Sequence, residues 1–143
     1  MIRLADCYFM QKQYKSSAQY YDEVIKANAQ GADYALYQKA IIDGLGGNYN
    51  EKIAGMKTLV ARFPNSAFAD DAIMQTGNTY MAQSKDDLAI EAYKSLFAKN
   101  PKSDQVPDAY LKLGLIYFNR DSYDESLSWY QKVVQSYPST PAS

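Results

Sequence analysis

Histidine is absent from this chain, and cysteine occurs once, at Cys7. The commonest general base and metal ligand at neutral pH is therefore missing. A single cysteine builds neither an intrachain disulfide framework nor a multi-cysteine zinc site, and Cys7 is expected to be a small buried apolar residue. Charge is nearly balanced, with 15 basic and 16 acidic side chains, which argues against a broad basic surface for nucleic acid or anionic lipid. No run of about 18 apolar residues is present to span a bilayer. Arg3 and Asp6 interrupt the first ten residues, unlike the apolar core of a secretory leader. These gaps lower the expectation of an enzyme and turn attention to tyrosine, which accounts for 14 of 143 residues. Tyrosine suits half-buried seams, where the ring packs and the hydroxyl stays wet.

A periodicity organises those tyrosines. Pro64, Pro101 and Pro138 lie 37 residues apart, and the same interval separates Gly77 from Gly114, Tyr80 from Tyr117 and Tyr93 from Tyr130. Between these landmarks apolar residues recur at helical spacing, as in Leu111, Leu115 and Phe118, or Leu127, Tyr130 and Val134. Each unit reads as two antiparallel helices, A then B, with proline ending B because it cannot continue the hydrogen-bond ladder. Glycine inside helix A costs roughly 1 kcal/mol of helix propensity. Its return at 77 and 114 is expected to admit a neighbouring backbone, with Ala89 and Ser126 as small counterparts on helix B.

The turns carry signals of their own. Ser122 with Glu125 reads as a capping box, Asn48 with Glu51 as a weaker one, and Ser66 and Ser103 as caps for the following A helices. The Gly44-Leu45-Gly46-Gly47-Asn48 cluster follows a helix and lacks the Lys-Ser/Thr of a phosphate loop. It reads as a helix terminus with a left-handed glycine, and the second unit is expected to open most easily. The acid pairs Asp70-Asp71 and Asp86-Asp87, with Asp121, Asp124 and Glu125, fit helix N-termini, where the macrodipole favours them by roughly 0.3–1 kcal/mol each. They form no calcium-loop pattern, so no metal or cofactor is expected.

The pattern resembles the tetratricopeptide repeat, whose signature runs W-x2-L-G-x2-Y, then A-x3-F, then P. Tyr110, Leu113, Gly114, Tyr117, Ser126, Tyr130 and Pro138 match best; Gly77, Tyr80, Ala89, Tyr93 and Pro101 follow, with Ile73 and Thr76 at the first two landmarks. The second unit is degenerate, with Ala40 for glycine, Asp43 for tyrosine and Met56 for the late aromatic. The first shows Ala5, Tyr8, Ser17, Tyr21 and Val24 in phase. The family's repeat is about 34 residues, so these units carry about three more. The resemblance implies an all-α, right-handed α-solenoid of about four antiparallel helix pairs. It forms one domain over 1–143, with units near 1–29, 30–66, 67–103 and 104–140. Met1 falls inside the first A helix and Ser139–Ser143 look like the start of a further unit, so the chain is expected to be part of a longer array. The interval and the P-x-S phrases Pro64-Asn65-Ser66 and Pro101-Lys102-Ser103 also resemble a bacterial subgroup. It includes the outer-membrane assembly lipoprotein and the periplasmic Tol–Pal coordinator, implying a cell-envelope location.

In this family helix A lines a concave groove. By register the outward groove positions are Asp6, Phe9, Tyr34, Tyr37, Ile41, Met74, Asn78, Met81, Lys112, Leu115, Phe118 and Asn119, an apolar and aromatic floor with few charges. The resemblance thus implies a non-enzymatic scaffold that holds a protein or peptide partner in that groove, without nucleic acid or a transmembrane segment. Of the lysine, asparagine and arginine that clamp chaperone tails in relatives, only Asn78 matches well, so such tails are not expected. The rival expectation is a structural spacer or oligomerisation module that self-associates through its apolar surface.

Overall fold

Apolar periodicity and its punctuation produce eight α-helices and no strand among residues 1–137, the part of the chain that this computed structural model describes. They are α1 (Ile2–Met10), α2 (Tyr14–Lys26), α3 (Ala32–Leu45), α4 (Tyr49–Arg62), α5 (Ala69–Ala82), α6 (Asp86–Lys99), α7 (Val106–Asn119) and α8 (Tyr123–Gln135). Odd helices are the A helices of the sequence pattern and even ones the B helices. Pro138 and the Ser139–Ser143 tail, read as a closing landmark and the start of a further unit, lie outside the described residues.

One device turns every A helix into its B helix. Lys12, Gly47, Ser84 and Asp121 take positive φ values of 61°, 80°, 59° and 60°. The next amide then reaches back across the turn: Gln13 to Tyr8, Asn48 to Asp43, Lys85 to Tyr80 and Ser122 to Tyr117 carbonyl. This is a Schellman closure. Only the second turn uses the left-handed glycine expected there; the others hold an L-residue where it costs roughly 1–2 kcal/mol. The capping boxes do not form. Asn48 and Ser122 occupy N-cap positions, but neither side chain bonds its helix. The closure before them sets ψ at 69°, away from the β conformation from which a cap side chain reaches the first turn.

B helices end as the prolines dictate. Phe63 and Asn100, which precede Pro64 and Pro101, adopt extended φ values of −132° and −138°, because the proline ring disfavours the helical region for its neighbour. Ser66 and Ser103 close turns rather than cap helices: their Oγ atoms accept from the amides of Phe68 (3.0 Å) and Gln105 (3.2 Å), before α5 and α7 begin.

Packing divides the chain into two compact bodies, Met1–Thr76 and Gly77–Ser143, with the division inside α5. In the first, Ala5, Tyr21, Val24, Ala35 and Ile42 make one cluster, and Leu36, Ala40, Met56, Leu59, Ala69 and Ala72 make the next. In the second, Tyr93, Leu96, Leu113 and Ile116 are buried. Each such leucine or isoleucine contributes about 1.5–3 kcal/mol of transfer energy. Cys7 departs from expectation and is exposed. Two residues beyond buried Ala5 at 3.6 residues per turn, it lies on the far flank of α1.

Candidate functional site

The inner face of each helix pair rests on a small residue of helix A and a large one of helix B. A Cβ at Gly77 would lie 2.5 Å from the Tyr93 ring, and one at Gly114 would lie 2.7 Å from the Tyr130 ring. The glycines therefore admit tyrosine rings, not the neighbouring backbone that the sequence led us to expect. The small B-helix residues do meet helix A: Ser17 Oγ donates to the Ala5 carbonyl and Ser126 Oγ to the Gly114 carbonyl, both at 2.8 Å. These bonds satisfy two buried hydroxyls.

The same B-helix tyrosines reach through to the next residue of helix A, which belongs to the expected groove. Tyr93, fully buried, donates to Asn78 Oδ1 at 2.5 Å, with Met81 Sδ a second acceptor at 3.7 Å. At the equivalent place Tyr21 donates to Asp6 Oδ1, which also accepts from Tyr34 at 2.9 Å. Gln38 Nε2 donates to the Tyr34 hydroxyl at 3.2 Å. Desolvation first, and the hydrogen bond to Asp6 second, push the Tyr21 and Tyr34 hydroxyls above their usual pKa. Burial followed by the Asp108 charge does so for Tyr93. In the other two pairs the polar partner is gone: Ile41 pairs by register with Met56, and Leu115 with Tyr130. The sequence carries this signal, since Asp6 and Asn78 each follow the small A-helix residue, but a pattern of residue types alone did not expose it.

The remaining groove positions fall out unevenly. In the first body Phe9, Tyr34, Tyr37 and Ile41 are half-buried. Phe9 meets Tyr14 edge-on at 5.5 Å, and Phe68 packs on both Tyr34 and Tyr37 at 5.5 and 5.8 Å. Met74 is only 4% exposed, so it packs in the interior instead of offering contact surface. In the second body Asn78, Met81 and Lys112 are half-buried, while Leu115 (37%), Phe118 (52%) and Asn119 are exposed. Phe118 is steadied by an edge contact with Tyr123 at 5.4 Å.

The acids behave as helix-terminal charges. Asp70 and Asp71 open α5, Asp86 and Asp87 open α6, and Asp124 and Glu125 open α8. Arg120 spans Asp86 at 3.7 Å and Asp87 at 2.6 Å, an exposed arrangement worth little in stability. Among the described residues no three histidine, cysteine or acidic side chains gather as a metal site, and no helix is long and apolar enough to cross a membrane.

Helix hairpins built on one small-to-large contact and one turn device define a helical-repeat protein. Tetratricopeptide-repeat models match residues 1–30, 34–66 and 74–141, and the chain belongs to that family. Among solved structures, a crystal structure of MamA aligns with a TM-score of 0.72 and 23% identity, covering 94% of this chain and 74% of MamA. A second MamA structure gives 0.74 and 23%, covering 96% and 71%. The TPR-like repeats of a Podospora anserina kinesin light chain give 0.70 and 15%, covering 97% and 74%. At such identities the likeness establishes the fold, an all-α TPR-like solenoid. No curated protein matches the sequence. The family is in general a non-catalytic, protein-interaction fold, and these matches lend no support to the narrower likeness to outer-membrane assembly and Tol–Pal proteins.

Proposed function

We propose that this chain is a non-enzymatic scaffold, a single domain of four helix pairs, that binds an apolar helix or extended peptide on its A-helix face. The observation that carries the reading is the state of that face in the second body. Leu115 and Phe118 are exposed on one stripe of α7, and on α5 the Asn78 side chain is already oriented by Tyr93. A partner segment buries the apolar stripe for affinity and reads register from Asn78, Lys112 and Asn119. In the first body Phe9, Tyr34 and Tyr37 offer rings and Ile41 an aliphatic side chain, with Tyr34 anchored at Asp6. Such a surface is largely preformed, so little ordering cost falls on the scaffold. The test is partner capture by wild type and by the Phe118→Ala/Met81→Ala variant, with circular dichroism on both. Capture lost with the fold retained supports the assignment; undiminished capture, or wholesale unfolding, counts against it.

One observation favours a second reading, in which the module self-associates. Leu127 and Val134 on α8 are exposed and, with Tyr130, line an open depression of about 450 Å³. Light scattering that rises with concentration and falls in Val134→Asp would favour assembly through α8 over peptide capture.

A further inference from the structure

The α2–α3–α4 face of the first body contains a cleft of about 260 Å³. Its floor is apolar, made by Ile25, Leu36, Ala40 and Gly55. A dry cavity of about 150 Å³ accommodates benzene, so this one has room for a larger ring. None of the expected groove residues lines it. Leu36, Ala40 and Asp43 occupy a stripe of α3 rotated by roughly 125° on average from Tyr34, Tyr37 and Ile41, given about 100° per residue.

The second body shows what the repeat places at this position. Phe97 of α6, Tyr110 of α7 and Trp129 of α8 meet there as a triad, with ring centroids 5.0, 5.7 and 5.9 Å apart. Lys94 and Lys132 lie over the Trp129 ring at 5.7 and 5.8 Å. At the same register positions the first body has Ile25 for Phe97, Leu36 for Tyr110 and Gly55 for Trp129, so all three rings are missing and the largest loss of volume is at Gly55. The cations are missing too: Asp22 stands for Lys94 and Thr58 for Lys132.

The rim has instead become acidic. Asp22, Asp43 and Glu51 border the cleft with Lys39; Lys26 and Lys39 both pair with Asp22, at 2.9 and 3.0 Å, which leaves Asp43 and Glu51 as the acids open to a ligand. Burial raises the Asp43 carboxyl above the ordinary range, Lys39 draws it back and Glu51 adds a smaller push upward.

We infer that this cleft receives an aromatic side chain of a partner polypeptide, followed by a lysine or arginine that lies against Asp43 and Glu51. The ring takes the space that Trp129 fills in the other body, and the basic residue supplies the charge the rim lacks. Cation–π contact within the ligand and charge complementarity at the rim then act together.

The test is an amide-resolved NMR titration of the full chain with three capped dipeptides: Trp-Lys, Trp-Glu and Ala-Lys. Trp-Lys should give saturable shifts at Leu36, Asp43, Gly55 and Thr58, with Trp-Glu several-fold weaker and Ala-Lys inactive. Thr58→Trp, an exposed position that fills the cleft from within, should abolish the Trp-Lys shifts. Glu51→Lys, on the exposed rim, should reverse the preference toward Trp-Glu. No shifts at these residues, equal binding of the two tryptophan peptides, or shifts that persist in Thr58→Trp would each overturn the inference. The groove variant Phe118→Ala/Met81→Ala leaves this cleft untouched, so failure here and failure of the proposed function are told apart.

Discussion

Gly77→Ala isolates the contact on which each helix pair is built. Helix propensity alone makes alanine better than glycine in the middle of α5 by about 1 kcal/mol. The new methyl would stand 2.5, 2.8 and 2.9 Å from Cε1, Cζ and Cδ1 of Tyr93, where carbon pairs prefer about 3.5–4.0 Å. Tyr93 cannot retreat freely, since it is fully buried and its hydroxyl is tied to Asn78. Overpacking of this kind costs about 1–3 kcal/mol, so the net effect is a loss of about 1 kcal/mol. The second helix pair supplies the rescue: there Ala40 lies under Met56, a flexible side chain that fits around a methyl. In a Tyr93→Met background Gly77→Ala should therefore turn stabilising, by about 1 kcal/mol. Gly44→Ala is the control, because its Cβ would meet the Lys52 side chain at 2.7 Å, a flexible stem that can swing away. Urea unfolding followed by circular dichroism reads each variant against its parent. If Gly77→Ala stabilises wild type and the Tyr93→Met background equally, the ring contact is not why glycine stands there.

Two further outcomes follow from the turns and the tyrosines. Ser84→Gly should raise the stability read from urea unfolding by about 0.5–1 kcal/mol, the relief of a left-handed L-residue less the entropy of an added glycine; a lower midpoint would contradict the turn assignment. Tyr21, Tyr34, Tyr37 and Tyr93 all have hydroxyls raised by burial above the unfolded value, near 10. The fold thus favours the neutral phenols, so this stability is complete below about pH 10 and is lost progressively as pH rises beyond it. Tyr21→Phe should cost about 1.5–3 kcal/mol at pH 7 through its bond to Asp6, and should flatten the alkaline decline measured by thermal melts.

Much of the fold was legible because it depends on spacing. Proline cannot sit inside a helix without strain, so Pro64 and Pro101 mark the ends of α4 and α6 whatever surrounds them. Apolar stripes at helical intervals locate the remaining helices. Less legible were features that depend on a partner atom. Gly77 announced that something close packs on α5, but not that it is the Tyr93 ring. Ser122 and Glu125 have the spacing of a capping box, yet the backbone closure before them aims the serine elsewhere. Met74 and Phe118 look alike as apolar A-helix residues, and only the coordinates separate an interior side chain from an exposed one. Cys7 was misplaced by its residue type, when its phase relative to Ala5 already put it on the far side of α1.

The degenerate second pair shows how one substitution propagates to a surface. The pairs that keep a tyrosine on helix B beneath a glycine, at Gly77 and Gly114, have no methyl on helix A at that point. Ala40 carries a methyl there, as Ala5 does in the first pair beside Tyr21, and in the second pair helix B has Met56 and Gly55 where the two approach. A Cβ at Gly55 would stand 3.1 Å from Ala40 Cβ and 4.0 Å from the Leu36 carbonyl. The close approach expected at Gly77 is thus realised at Gly55 instead. Gly55 also holds the register position of Trp129, so what permits the approach on the inner side removes the ring on the outer side. The cleft at that place goes with Gly55, and its acidic rim at Asp22, Asp43 and Glu51 is an independent feature that packing does not require. Restoring glycine at position 40 should make Gly55→Ala tolerable, while leaving the charge at Glu51 free to select a basic ligand. If both changes together close the cleft without altering stability, the inner and outer faces of this pair are coupled through Gly55 alone.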